Sequence, residues 1–185
     1  MTTMPTALIV YASTHGQTAK IAARLGEALR AQGLQTRVAE VGEAGSLDPA
    51  AYDLAIVGAS IHGGHHQREI VAWAKRHQVS LGAMPSAFFS VCLTVAEDTE
   101  ESREATRRYL DDFADATGWT PTQATTFAGA LLYREYDFMT RLVMRLLMAR
   151  GHHPTDTSRD YEYTDWEAVD RFAAQCAGAL ARTPG

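Results

Sequence analysis

Hydrophobic residues along the chain fall into two kinds of segment that alternate with each other. The first kind is a short run that is almost continuously apolar, which is typical of strands in a parallel sheet covered on both faces. These strand candidates are residues 7–11, 36–39, 54–58, 87–91 and 125–129. The second kind carries apolar residues at helical spacing. The helix candidates are residues 17–32, a segment around Trp73, the polar stretch 101–117, and a closing segment around Phe172.

Strands that alternate with helices predict a parallel sheet with helices on both faces. Five strands in a chain of 185 residues favour a flavodoxin-like three-layer α/β sandwich with strand order 2-1-3-4-5. We expect one domain over residues 1–185, with an additional helix between strand 5 and the last helix. Ligands of such sheets bind at the carboxyl ends of the strands where the strand order reverses. The loops after residues 11, 58 and 91 are therefore the candidate sites.

Composition narrows the partners and the compartment. A net charge of -5 and a pI near 5.8 argue against a nucleic-acid partner. The two cysteines, Cys92 and Cys176, have no paired spacing, so they predict neither a disulfide nor a zinc site. The chain starts without the features of a signal peptide, and no apolar run reaches the roughly 20 residues of a membrane span. We expect a cytoplasmic protein, with peripheral contact at the inner face of the cell membrane left open.

Hydroxyl side chains and a glycine connect the first strand to the first helix. The candidate ligand residues of this loop are Ser13, Thr14, His15, Gly16, Gln17 and Thr18. Hydroxyls, helix-start amides and a close backbone approach at Gly16 together favour phosphate binding, although an ordinary capped helix is the alternative. The absence of a Walker lysine and of G-x-G-x-x-G argues against nucleoside triphosphates and NAD. Neutral donors suit the phosphate monoester of FMN, and the position after strand 1 favours that interpretation.

The second loop, residues 59–66, combines glycines with three histidines. Its candidate cofactor contacts are Ser60, Ile61, His62 and Gly63, because glycines let the backbone approach a flat ring. Imidazoles invite a metal interpretation, but no carboxylate or cysteine accompanies them, so we predict no metal site. A hydrogen-bonding or proton role beside a flavin is one alternative. Solvated loop histidines are the simpler one.

The third loop is apolar and rich in exposed backbone. Its candidate contacts are Ser90, Val91, Cys92 and Leu93, which are expected to cover one side of the ring. No neighbouring cation lowers the pKa of Cys92 in the sequence, so we interpret Cys92 as a buried small residue. Neither ring-facing loop contains tryptophan or tyrosine, which predicts a ring face open to a bulky substrate. The sequence assigns no catalytic acid or base.

Short motifs, in order and at matching spacing, resemble the menaquinone-dependent protoporphyrinogen IX dehydrogenases, flavodoxin-like enzymes of haem biosynthesis. The motifs are GQT at 16–18, VGASI at 57–61, MPSAF at 84–88, AGAL at 128–131 with Tyr133 and Tyr136, TDT at 155–157 and YTDWE at 163–167. The resemblance covers residues 7–181. It implies an FMN enzyme that oxidises protoporphyrinogen IX to protoporphyrin IX in three two-electron steps and passes the electrons to menaquinone or another quinone. A flavodoxin-like NAD(P)H-quinone reductase and a non-catalytic electron carrier are the alternatives.

Two charged segments bear on the partners. Residues 137–150 are apolar and methionine-rich with three arginines, and they suit an anionic membrane surface, the propionates of a porphyrin, the protein core or a homodimer interface. Residues 97–115 hold eight acidic residues against three arginines, a net charge of -5. Such an acidic strip repels both propionates and anionic lipid. A solvated helix face is its simplest explanation.

Overall fold

The computed structural model describes residues 4–97, 99–131, 148, 156, 158 and 160–182. The strands in these ranges are β1 (Thr6–Tyr11), β2 (Gln35–Glu40), β3 (Leu54–His62), β4 (His65–His66), β5 (Ser86–Cys92), β6 (Gln123–Ala128), β7 (Ala130–Leu131) and β8 (Tyr161–Glu162). The α-helices are α1 (Gln17–Ala31), α2 (Arg68–Arg76), α3 (Gln78–Gly82), α4 (Glu100–Thr117) and α5 (Trp166–Arg182). Short 3-10 turns lie at Ala44–Ser46, Pro49–Ala51 and Leu93–Ala96.

The main sheet is parallel and has the order β2-β1-β3-β5-β6. This is the predicted order of five strands, so the flavodoxin-like fold class is confirmed. The strand order reverses between β1 and β3, where Tyr11 lies beside Gly58 in the ladder. The carboxyl ends of β1, β3 and β5 therefore lie side by side at one edge of the sheet. The three loops singled out in the sequence begin at this edge.

Each face of the sheet has its own hydrophobic core. Ala7 and Ile9 of β1 face α1 and α5, whereas Leu8 and Val10 face α2 and α4. All four residues are fully buried. Because both faces are covered, alternate residues of one strand must all be apolar, which explains the continuous runs in the sequence. The predicted helical segments correspond to α1, α2, α4 and α5.

The third strand is longer than the sequence pattern suggested. The prediction that this strand ends at residue 58 and that 59–66 form a loop was wrong. Strand β3 continues to His62, and Gly63 and Gly64 form a two-residue turn with φ angles of 58° and 84°. Two positive φ angles are the requirement of a tight hairpin turn. The turn returns the chain as β4, which pairs with the end of β3 in an antiparallel ladder.

The segment at 137–150, for which the sequence predicted an additional helix, lies outside the described residues except for Met148. Its predicted roles in membrane contact, substrate contact or a dimer interface stay predictions. Within the described ranges, no helix is long and apolar enough to span a membrane. Strand β7 precedes this segment in the chain and strand β8 follows it. The two strands pair in a small antiparallel sheet, which sequence analysis did not predict.

Candidate functional site

The first turn of α1 is built without a side-chain cap. Gly16 occupies the capping position with a φ of 86°, and no side chain bonds the free amides there. Its own amide donates to Ser13 Oγ at 2.9 Å, and the helical ladder starts with the Lys20 amide donating to the Gly16 carbonyl. A Cβ placed on Gly16 meets no atom within 4 Å. The space beside Gly16 is therefore open, and the first-turn amides of α1 have no side-chain partner there.

Two buried polar atoms lie in the same turn. Thr18 is 1% exposed and Gln17 is 6% exposed. Neither Thr18 Oγ1 nor Gln17 Oε1 has a hydrogen-bond partner within the part of the chain that the structure describes. A buried polar group left without a partner costs about 1–3 kcal/mol, so folded proteins rarely keep one without a reason. A ligand bearing both acceptors and donors would satisfy the two atoms and so fits this site.

Gln17 is also tied to the far end of the chain. Its Nε2 donates to Thr164 Oγ1 at 2.9 Å, and that hydroxyl donates to the Ala128 carbonyl at 2.8 Å. Thr164 lies between β8 and α5. Sequence reasoning did not select Thr164 as a site residue, although it belongs to the YTDWE motif that carried the family resemblance. Its position depends on a contact across 147 residues of sequence, which no local pattern reports.

A glutamine that sequence reasoning missed joins the first loop to β3. Gln67 Nε2 donates to Thr14 Oγ1 at 3.1 Å and to Ser60 Oγ at 2.5 Å. Its Oε1 accepts from the backbone amide of Ser60 at 3.2 Å. The hairpin makes these contacts possible, because it turns the chain back beside the end of β3. Gln67, which was not predicted, thereby links two predicted site residues, Thr14 and Ser60.

The histidines of the second loop have different environments. His62 is exposed on the hairpin, and its ring lies 5.7 Å from that of His15, measured between centroids. His65, Gly63 and the neighbouring turn are also exposed, whereas Ile61 is half-buried. In the described ranges, no three histidine, cysteine or acidic side chains come together as a metal-binding group would. The contact between the His15 and His62 rings brings the first loop next to the hairpin.

His66 points inward and is not a solvated loop histidine. Its Nε2 lies 2.9 Å from Ser90 Oγ, and its ring makes edge contacts with Phe88 and Phe113 at 5.5 and 5.2 Å. Burial, together with the neighbouring His65, lowers the pKa of His66 to about 4. The imidazole is therefore neutral near pH 7. The solvated interpretation was wrong for this residue, because β4 turns its side chain towards α4.

The third loop begins later than predicted. Ser90, Val91 and Cys92 lie inside β5, and their side chains are at most 5% exposed. Their predicted loop position was wrong, and only Leu93, which starts a 3-10 turn, shows a half-buried side chain. Burial raises the pKa of the Cys92 thiol to about 11. The interpretation of Cys92 as a buried small residue is confirmed.

Aromatic side chains reach the third loop from the distant β8 region. Leu93, Met148, Tyr161 and Tyr163 are partly buried and pack against one common hydrophobic cluster, and these four residues are hereafter the Leu93 cluster. The Tyr163 amide donates to the Gly129 carbonyl at 3.1 Å, and the Gly129 amide donates to the Cys92 carbonyl at 3.2 Å. These bonds hold the cluster beside the end of β5. The sequence showed no aromatic residue in the ring-facing loops, and tertiary structure supplies two nearby.

The acidic segment forms the outer face of α4. Its exposed acids in the helix are Glu100, Glu101, Glu104, Asp111, Asp112 and Asp115. Arg108 pairs with Glu104 at 2.5 Å and Arg103 with Glu100 at 3.9 Å. The inner face carries Phe113, which stacks on Phe88 with a centroid distance of 3.9 Å. The interpretation as a solvated helix face is confirmed.

The fold and the uncapped first turn can be compared with known proteins. The family model described as Flavodoxin domain matches residues 8–158. The chain therefore belongs to the flavodoxin domain family, whose cofactor class is a flavin. Oxidised flavodoxin 1 from Bacillus cereus has a TM-score of 0.55 at 15% identity, covering 94% of this chain and 97% of that one. A short-chain flavodoxin associated with a bacterial microcompartment has a TM-score of 0.63 at 15% identity, covering 96% of this chain and 99% of that one. These structures bear on the fold alone.

Curated relatives are more similar in sequence. A protoporphyrinogen IX dehydrogenase (quinone) from Escherichia coli strain K12 is 36% identical over 170 residues, covering 92% of this chain and 93% of that relative. A relative of the same name from Leishmania major is 34% identical over 181 residues, covering 97% of this chain and 78% of that relative. The resemblance to protoporphyrinogen IX dehydrogenases that the sequence motifs indicated is thereby confirmed.

Proposed function

We propose that the chain binds FMN at the start of α1 and uses it to oxidise protoporphyrinogen IX, with a quinone as the electron acceptor. The observation that carries the cofactor assignment is the uncapped first turn, where Thr18 Oγ1 and Gln17 Oε1 are buried without a partner among the described residues. Thr18 and the first-turn amides would donate hydrogen bonds to the phosphate oxygens. Gln17 Oε1 would accept one from a ribityl hydroxyl. FMN carries both groups.

The composition of the first loop favours a flavin mononucleotide. Ser13, Thr14 and Thr18 supply hydroxyls, and the helix start supplies amides with the positive end of the helix dipole. The loop has no lysine or arginine from Ser13 to Thr18. Neutral donors converging on one point suit a single phosphate monoester, whereas a triphosphate requires cations or a metal ion.

The other two loops are the candidates for holding the flavin ring. The hairpin offers Ser60, Ile61, His62 and Gly63 at the end of β3. At the end of β5, Leu93 offers a side chain, while Ser90, Val91 and Cys92 are buried and have only main-chain atoms to offer. The exposed His62 beside His15 gives a polar side to the site. The Leu93 cluster gives it an apolar side.

The proposed substrate follows from the names of the relatives and suits the apolar side of the site. A porphyrinogen is a large ring system with an apolar face, and the Leu93 cluster presents partly buried aromatic and aliphatic side chains. FMN, when bound, supplies the two-electron redox chemistry that side chains lack. Overall, one protoporphyrinogen IX gives up six electrons and six protons, and three quinones take them up as three quinols. The protein's contribution is to bind, orient and exclude water.

The test uses protein loaded with FMN and freed of unbound flavin. It is mixed anaerobically with protoporphyrinogen IX, and the visible absorbance of the oxidised flavin is followed. We expect the absorbance to bleach and porphyrin fluorescence to rise, with recovery of the absorbance on addition of a menaquinone analogue. Gly16→Val is the negative control, because we expect it to bind FMN at least about a hundredfold more weakly and to lose it when unbound flavin is removed.

The outcomes separate the candidate functions. Bleaching by NADPH without bleaching by protoporphyrinogen IX would establish a quinone reductase instead. Bleaching by neither donor, with electrons exchanged only with a redox protein, would establish an electron carrier. Protein that stays colourless after reconstitution with excess FMN would refute the cofactor assignment itself.

A further inference from the structure

The carboxamide of Gln67 has one orientation that fits its surroundings. The backbone amide of Ser60 can only donate, so the atom of Gln67 facing it at 3.2 Å must be the oxygen Oε1. The nitrogen Nε2 is thereby fixed towards the two hydroxyls. It lies 3.1 Å from Thr14 Oγ1 and 2.5 Å from Ser60 Oγ. Both hydroxyl oxygens consequently act as acceptors of the Gln67 amide hydrogens.

A hydroxyl that accepts a hydrogen bond keeps its own hydrogen for another acceptor. Neither Thr14 nor Ser60 has an acceptor for that hydrogen within the described ranges. Thr14 is exposed in the first loop, and Ser60 lies half-buried near the end of β3. Two hydroxyls, one in the first loop and one in β3, therefore each keep a hydrogen to donate while they accept from the same side chain. An acceptor-rich ligand at this edge of the sheet would meet them both.

We propose that Gln67 is a positioning residue that sets Thr14 as a hydrogen-bond donor to the phosphate and Ser60 as a donor to the ring portion of the flavin. The inference rests on the proposed binding of FMN. Gln67 acts through the two hydroxyls and does not need to touch the cofactor. Gln67 also links the first loop to β3, so it would fix the position of the phosphate donors relative to the donors of the flavin ring.

Gln67→Glu is the most informative substitution, because it keeps the shape and the link but reverses the donors. A carboxylate only accepts, so the Thr14 and Ser60 hydroxyls would turn their hydrogens towards it, while the Ser60 amide keeps its acceptor. We expect FMN affinity to fall at least about tenfold, the range of a lost hydrogen bond to a charged group. Riboflavin, which lacks the phosphate, should lose less affinity than FMN. The unfolding midpoint of the flavin-free protein should stay near the wild-type value.

Two controls separate this mechanism from simpler ones. Gln35→Glu adds the same charge in β2, whose amino end lies at the opposite edge of the sheet, and should leave FMN affinity unchanged. Thr14→Val removes the hydroxyl through which Gln67 is proposed to act. In a double-mutant cycle, the loss caused by Gln67→Glu should be smaller in the Thr14→Val background than in the wild type. Affinities are measured by flavin fluorescence titration at constant salt.

Each contrary outcome has a distinct meaning. Equal losses for FMN and riboflavin, with a lowered unfolding midpoint, would overturn the proposal and make Gln67 a structural clamp. Additive losses in the cycle would also overturn it, because repulsion between the new carboxylate and the phosphate does not depend on Thr14. If the wild type binds neither flavin, the proposed cofactor assignment fails instead, and the two failures cannot be confused.

Discussion

Helices α1 and α4 both start at the carboxyl edge of the sheet, yet their first turns are finished differently. Thr99 caps α4, accepting from the Ser102 amide at 3.1 Å, while Ser102 Oγ accepts from the Thr99 amide at 3.2 Å. This reciprocal capping box satisfies the helix start within the chain itself. The start of α1 has a left-handed glycine and no side-chain cap. The start of α4 is capped within the chain, whereas the start of α1 is left open for the ligand that we propose.

The difference shows how a candidate binding site can be recognised by polar groups that lower folding stability because they lack hydrogen-bond partners. Capping residues were available at α1, because Ser13, Thr14 and Thr18 all lie within its first loop and turn. Their hydroxyls are not used as α4 uses Thr99. A buried hydroxyl without a partner lowers stability, so the arrangement favours a role in binding and not in folding alone.

The largest expected effect is that of Gly16→Val at the start of α1. A β-branched side chain at a φ of 86° is strained, and it would occupy the open space beside the helix start, where we propose that the phosphate binds. We expect FMN affinity to fall by about a hundredfold or more, equivalent to the loss of at least one hydrogen bond to the phosphate. Isothermal titration calorimetry measures the affinity.

The matched control for that change is Gly33→Val at the other end of α1. Gly33 has a φ of 89° and also has no atom within 4 Å of an added Cβ. Its strain should lower the free energy of unfolding by about 1–2 kcal/mol while FMN affinity stays unchanged. An equal loss of FMN affinity in both variants would show that backbone strain in α1, and not the occupied space beside Gly16, weakens binding.

The next effect concerns the α4 side, where His66 packs against Phe113. Because the folded-state pKa is lowered to about 4, the unfolded chain takes up a proton below pH 6.5 before the folded chain does. Stability is therefore full above pH 6.5 and is lost as the pH falls towards 4. Between pH 7 and 4.5, we expect the wild type to lose about 2 kcal/mol more unfolding free energy than His66→Gln. Urea titrations at each pH measure this, and identical pH profiles would contradict a buried neutral imidazole.

A smaller effect is expected from Thr18→Val, which should lower FMN affinity without lowering the stability of the flavin-free protein. The substitution replaces an unpaired buried hydroxyl with a methyl group of the same shape. FMN affinity should fall about tenfold, whereas the flavin-free protein should be as stable as the wild type or more stable by about 1 kcal/mol. Affinity and thermal unfolding are measured on the same preparation. A stability loss with unchanged affinity would show that Thr18 serves the fold.

The smallest effect should come from Thr99→Ala at the start of α4. Removing the cap should cost about 1 kcal/mol of unfolding free energy and leave FMN affinity as it was. Comparison with Thr18→Val then gives two helix starts with opposite responses. Loss of flavin affinity in Thr99→Ala would mean that α4 also contributes to the site.

The sequence predicted the sheet well because a parallel sheet covered on both faces imposes a simple requirement. Every position of residues 7–10 is buried, so the run has to be apolar throughout. Strand ends follow from weaker rules. The continuation of β3 to His62 depends on the Gly63–Gly64 turn, whose two glycines were interpreted as room for a ring. A pair of glycines between two strands also predicts a hairpin turn. It was overlooked because the histidines around it were considered only as possible ligands.

The site was predictable only where it is local. Residues 13–18 follow one another in the chain, and the sequence identified them as phosphate ligands, a role that stays a prediction. It could not separate a cap from a ligand site, since both use the same residue types. The buried Thr18 hydroxyl, which has no partner among the described residues, favours the ligand site. Gln67 and Thr164 were out of reach, because they meet the first loop across 53 and 147 residues.

The bond between Gln17 and Thr164 joins one of the first elements of the chain to one of the last. A nascent chain of this protein cannot complete the pocket until nearly all of its length has been synthesised and the sheet has closed. If FMN binds as proposed, its binding energy would therefore stabilise the molecule against global unfolding and not only against local unfolding of one part. Retention of FMN after purification would then be a test of whether the whole chain has folded.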